Sequence, residues 1–106
     1  MANIDQLNQH MTSPTAANFV PLSPLSFIKR TAQVFGDQTA TIYNGQQQSW
    51  RQVYQRCCAF SDALRRNGVE KGNVVSVLAF NTPEMIELQF SVGMAGGVLN
   101  TINTRL

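Results

Sequence analysis

The stretch 74-VVSVLAFNTPEMIELQFSVGMAGGVLN-100 decides the fold class. Residues 74–80 form a short apolar run interrupted only by Ser76, the pattern of a strand buried on both faces, as in a parallel sheet. Asn81, Thr82 and Pro83 mark a helix start. The threonine supplies a capping hydroxyl, and the proline lacks an N–H that the first turn would leave unpaired anyway. Glu84 places negative charge where the helix dipole favours it. Met85, Leu88, Val92 and Ala95 then recur at helical spacing and predict an inner stripe, more in keeping with core than with a cofactor site. Gly96-Gly97 closes the helix, and Val98-Leu99-Asn100 opens a second strand. Two strands joined by one crossover helix must run parallel through a right-handed connection, so the class is α/β.

The glycines are at the far end of this unit from where a nucleotide would need them. A dinucleotide-binding βαβ motif carries glycines between its first strand and its helix, so that backbone N–H groups face phosphate. Here that junction holds none, while Gly93, Gly96 and Gly97 sit at the helix end. The unit reads as scaffold. Asn81 lies just past a strand's carboxyl end, where α/β ligand sites gather, but Thr82-Pro83 beside it favour a simple helix-opening turn.

Upstream, residues 1–18 are polar and poor in apolar residues, which predicts a flexible tail. From Phe19 the character changes. Ser23 and Pro24 start a helix with Leu25, Ile28, Ala32 and Phe35 on one face, and Gly36 ends it. Residues 39–43 read as a strand, Asn44-Gly45 as a hairpin turn, and Gln46-Gln47-Gln48 as a short polar return. Ser49-Trp50-Arg51-Gln52 fits a capping box, and Trp50, Val53, Cys57, Phe60 and Leu64 line one helical face. Asn67-Gly68 closes that helix, with Val69 folding back on it, and Lys71-Gly72-Asn73 is a turn. The predicted order is helix, hairpin, helix, then a βαβ parallel unit, in an incomplete sheet.

A chain of 106 residues suffices for one small domain. Its net charge is +2, with the basic pairs Lys29-Arg30 and Arg65-Arg66 placed late in predicted helices, which suits the helix dipole better than a nucleic-acid surface. No apolar run is long enough to span a membrane and no signal peptide is present, so a cytoplasmic location is the default expectation. Adjacent Cys57 and Cys58 cannot easily reach disulfide geometry, and Cys57 reads as a small buried hydrophobe. His10 is the sole histidine and has no partner for catalysis or metal binding in the pattern.

Five landmarks carry a family resemblance: residues 18-NFVPLSPLSF-27; Ser49-Trp50 opening a helix after a hairpin; Ala63-Leu64 with Gly68-Val69 and 72-GNVVSV-77; Asn81-Thr82-Pro83-Glu84-Met85; and 94-MAGGVLN-100. In this order they resemble the N-terminal region of the adenylate-forming acyl-CoA synthetases, the AMP-binding enzymes. The lead-in and 100-NTINTRL-106 resemble the subgroup acting on medium-chain and aromatic acids. Asn73 stands where the family usually has aspartate, a change that a turn tolerates. Thr104-Arg105-Leu106 falls inside the family pattern and is read as part of it rather than as a peroxisomal address.

The resemblance implies a ligase that uses ATP, Mg²⁺ and coenzyme A. A carboxylic acid would become an acyl-adenylate and then a thioester. The family's phosphate loop, aromatic-Thr-Glu motif, ribose-binding aspartate and C-terminal lysine match no position in this chain. No catalytic, cofactor-binding or metal-binding residue is therefore assigned. Residues 19–106 are expected to be the front of the AMP-binding large domain, inactive alone, with the remainder of the ligase polypeptide as partner. The alternative is a stand-alone α/β interaction module, or a remnant without activity.

Overall fold

The computed structural model describes Asn3 and residues 22–105. The expected tail over residues 1–18, His10 included, lies outside the described residues apart from Asn3.

Helix α1 is Pro24–Val34, with Ser23 accepting from the Leu25 N–H at 3.2 Å. Ile28 and Ala32 are buried as its spacing predicts. Phe35 is not: it is the C-cap, out of helical register, and 49% exposed. Strands β1 (Thr39–Tyr43) and β2 (Gln46–Ser49) pair antiparallel. Asn44 (φ 49°) and Gly45 (φ 75°) make the turn, both in the left-handed region that tight hairpins require.

Helix α2 is Trp50–Arg66. Its capping box is complete: the Gln52 N–H donates to Ser49 Oγ at 3.2 Å, and the Ser49 N–H donates to Gln52 Oε1 at 2.8 Å. It ends in a Schellman motif, with the Gly68 N–H on Arg65 O at 3.1 Å and the Val69 N–H on Leu64 O at 3.0 Å. Val53 and Cys57 are fully buried, but Ser61 takes the place expected of Phe60, which is 44% exposed. The buried face runs through steps of four from Val53 to Ser61, so Phe60 falls to its side. Arg65 and Arg66 occupy the last turn as expected, whereas Lys29 and Arg30 precede the last turn of α1.

Strands β3 (Val74–Val77) and β4 (Val98–Thr101) pair parallel in the register Val74↔Val98 to Val77↔Thr101. Helix α3 (Pro83–Met94) joins them. Its end repeats the Schellman motif, with the Gly96 N–H on Gly93 O at 3.0 Å and the Gly97 N–H on Val92 O at 2.9 Å. Gly96 has φ 85°, which favours glycine at this position.

The expectation of a strand over 74–80 buried on both faces is corrected. The regular strand stops at Val77, and one sheet face is open: Val74 is 63% exposed, Leu78 67%, Phe80 76% and Val98 54%. Helix α3 packs against β4, and among the described residues nothing covers the other face.

The core lies where the three helices meet. Ile28, Val53 and Cys57 form it, with Ala40, Tyr54, Phe90 and Met94 packed around them. The connection between α1 and β1 is tied to the start of α2 through Trp50 N–H to Gln38 O and Arg51 N–H to Gly36 O, both 3.0 Å. The result is a mixed α/β unit of three helices and two small sheets.

Candidate functional site

Two open hollows flank the start of α3. One, of about 550 Å³, lies at the carboxyl ends of β3 and β4, lined by Phe80, Asn81, Gln89, Asn103 and Arg105 among others. The other, of about 450 Å³, lies between β1 and the start of α3, with Thr41, Tyr43, Asn81 and Ile86 on its walls. Asn81 borders both and is exposed. It is the residue where sequence reasoning placed a ligand edge or a helix-opening turn. Around it stand amides, hydroxyls, apolar groups and one guanidinium, and among the described residues no hydroxyl there is held against a base.

A third feature is the groove between α2 and α3, of about 420 Å³. Arg56 Nε donates to Glu87 Oε1 at 2.8 Å, and Arg56 Nη2 is 3.9 Å from Glu84 Oε1. Glu87 is buried and Arg56 half-exposed. Glu87 holds the Arg56 guanidinium even more firmly protonated than usual. Cys57 Sγ donates to Glu87 O at 3.5 Å. Burial, then the Glu87 charge, pushes the Cys57 thiol up to about 11, so it stays protonated at neutral pH and is a poor nucleophile. Ser91 Oγ is fully buried and has no hydrogen-bond partner among the described residues.

Glu87 and Ser91 escaped the sequence reading, which assigned α3 the single stripe Met85, Leu88, Val92 and Ala95. Val92 and Ala95 are buried and Met85 and Leu88 half-buried, yet Glu87 and Ser91 are buried too. The available signal was the scarcity of a polar face on α3: a helix apolar nearly all round is covered on several sides. The arginine on α2 was the other half of the clue.

Among the described residues, no group of three or more His, Cys, Asp or Glu is placed to hold a metal. No helix there is long and apolar enough to cross a membrane.

The element order, the parallel β3–α3–β4 unit and the two Schellman closures stand on the same residues as the five landmarks. The model of the AMP-binding enzyme family matches residues 28–106. The chain belongs to that family. Its relatives within the AMP-binding enzymes include acid–CoA ligases. It is 49% identical over 90 residues to the peroxisomal trans-cinnamate:CoA ligase of Petunia hybrida, a match covering 85% of this chain and 16% of the relative. It is 45% identical over 93 residues to 2-methylpropanoate–CoA ligase CCL4 of Humulus lupulus, covering 88% of this chain and 17% of the relative. Among solved structures it is similar to a Rhodopseudomonas palustris protein provisionally assigned as a long-chain-fatty-acid CoA ligase. The TM-score is 0.76 at 33% identity, covering 80% of this chain and 22% of that one. The chain thus spans about one-sixth of the length of these curated relatives.

The N-terminus of α3, which follows the end of β3, does not suit a nucleotide's phosphate. Pro83 removes one backbone donor from the first turn of α3. Glu84 already sits there, its carboxyl held below the usual carboxylate range by its own backbone N–H and then by the Thr82 hydroxyl. Thr82 makes no side-chain cap bond to the helix backbone, a correction to its expected role. A phosphate would meet a carboxylate at this spot.

Proposed function

We propose that this chain is the N-terminal scaffold of an acid–CoA ligase that takes a medium-chain or aromatic carboxylic acid. The whole ligase would join the acid to the α-phosphate of ATP, releasing pyrophosphate. Coenzyme A would then displace AMP and leave a thioester. The observation that carries this reading is the 49% identity to trans-cinnamate:CoA ligase across 85% of the chain. The contribution of α1 to β4 is rigid support for sites built by other parts of the polypeptide, since precise sites rest on locked neighbouring elements. ATP, Mg²⁺ and coenzyme A belong to those other parts, and the chain alone is inactive. We place the ligase in the cytoplasm; the peroxisomal Petunia relative defines the competing compartment, and fluorescence imaging of a tagged whole protein separates the two.

The test is a chimera in which residues 22–106 replace the matching segment of the Petunia ligase. Cinnamoyl-CoA formation at a rate comparable to the parent is expected. The 106-residue chain with ATP, Mg²⁺ and a panel of acids should release no pyrophosphate above a protein-free control. A folded chimera that makes no thioester while the parent does would refute the reading.

A further inference from the structure

The hollow between β1 and the start of α3 has apolar walls that the described residues leave bare. Ile42 is 69% exposed, and Tyr43 and Ile86 are each 45% exposed. One face of α3 leads away from it. Ile86, Gln89 and Gly93 follow one another at steps of three and four, turned from the residues that line the α2 groove. That face ends beside the start of α1: a Cβ on Gly93 would sit 3.4 Å from Leu25 Cδ2. The chain entering α1 therefore arrives at the far end of the same face.

The residues that arrive there are 19-FVPL-22, the first run of large apolar residues after a polar start. Residues 19–21 lie outside the described residues. They belong to the part shared with relatives. The match to the Petunia ligase takes 90 of the chain's 106 residues and cannot start beyond residue 17. Pro21 and Pro24 bias the residues before them, Val20 and Ser23, to extended backbone, and Ser23 has φ −144° and ψ 144°. Extended chain covers about 3.3 Å per residue, so four residues reach about 13 Å. Ile86 and Gly93 are about 10 Å apart along the helix, at 1.5 Å per residue. Successive side chains of an extended chain point to opposite sides. Leu22 is 88% exposed, so Val20 shares its outward side, and Phe19 falls inward with Pro21.

We propose that residues 19–22 run back along Gly93, Gln89 and Ile86, and that the Phe19 ring fills the hollow between β1 and α3. The occupant is this chain's own lead-in because its entry point, its reach and its apolar character fit the face together. Seated there, Phe19 bridges the hairpin and α3. The inference concerns the fold of this chain and does not depend on which acid is activated.

The experiment uses the chimera lengthened to carry residues 1–106, with Cys58→Ser. Phe19→Cys is combined with Ile86→Cys or, as an exposed control on α2, with Gln55→Cys. After mild oxidation the disulfide-linked peptides are quantified by mass spectrometry. At least tenfold more linkage to position 86 than to position 55 is expected, within one chain. In separate variants of the same chimera, Phe19→Ala should lower the first Tm by about 4 °C or more, and the outward Val20→Ala by less than about 1 °C. Equal linkage to positions 86 and 55 would overturn the proposal. So would a Phe19→Ala variant no less stable than Val20→Ala. Linkage to position 86 that joins two chains assigns the hollow to a second copy and also overturns it. Should Phe19→Ala not fold, the cysteine pairs still decide. A chimera that forms the expected linkage and makes no thioester overturns the ligase reading alone, which separates the two failures.

Discussion

Removing Arg56 should expose how much the contact between α2 and α3 depends on a matched charge. Glu87 is 6% exposed, and its carboxylate takes the Arg56 Nε–H at 2.8 Å. Two unit charges about 4 Å apart interact by about 4 kcal/mol at an effective dielectric near 20. The Arg56 side chain is 48% exposed, so solvent screens much of that. The coupling should be about 1–2 kcal/mol, between exposed pairs and fully buried ones. Arg56→Met should cost the most, about 2–3 kcal/mol, because it leaves a buried carboxylate without its counter-charge. Glu87→Met leaves only a half-solvated guanidinium and should cost less. The double variant should fall close to the parent, since both charges leave together. The assay is a double-mutant cycle on the first urea transition of the chimeric ligase, where any helix over the groove makes the figure a lower bound. A coupling below about 0.3 kcal/mol, within the usual error of additivity, would refute the electrostatic account of this contact.

Gly96→Ala should cost about 1–2 kcal/mol in the same urea assay, because φ 85° is left-handed and the added Cβ would sit 3.3 Å from Lys71 Cα. A cost near zero would show that the end of α3 can rearrange. Cys57 has its folded pKa raised from 9.0 to about 11, so its stabilising contribution is complete below pH 9 and is lost as pH rises through 11. Two units correspond to about 2–3 kcal/mol, and Cys57→Ala should flatten the alkaline fall in urea stability over that window. An identical alkaline limb in the variant would place the titration elsewhere. The 106-residue chain by itself should self-associate through the open sheet face of Val74, Leu78, Phe80 and Val98. A monodisperse monomer with a cooperative thermal transition in light scattering and circular dichroism would contradict this.

The fold was legible where local chemistry decides it. Ser49 with Gln52, Asn44-Gly45, Gly68 and Gly96-Gly97 each satisfy or redirect specific backbone groups, and each does so in the structure. Asn73 shows why the departure from aspartate is tolerated: its side-chain oxygen accepts the Glu70 N–H at 2.7 Å, a bond either residue can make. Burial was less legible. Residues 74–80 carry the apolar content of a doubly covered strand, but only one layer is present among the described residues to cover it. On α3, hydrophobic spacing found Val92 and missed Glu87 and Ser91, whose burial depends on a partner helix some 30 residues away in sequence. Periodicity reports one apolar face and cannot see a polar pair satisfied across two helices.

The two ligases compared here name different acids, one aromatic and one a short branched chain, yet they match this chain almost equally well, at 49% and 45% identity. In this chain the features that stand out are structural: two Schellman closures, a capped α2, and a buried contact in which Arg56 meets Glu87. The hollow beside Asn81 points the same way. It opens at the carboxyl ends of the strands, where a ligand would be expected, but the adjoining helix start is occupied by Glu84. We therefore expect the choice of acid to be carried by other parts of the polypeptide, packed against the α2–α3 groove and the open sheet face of this unit.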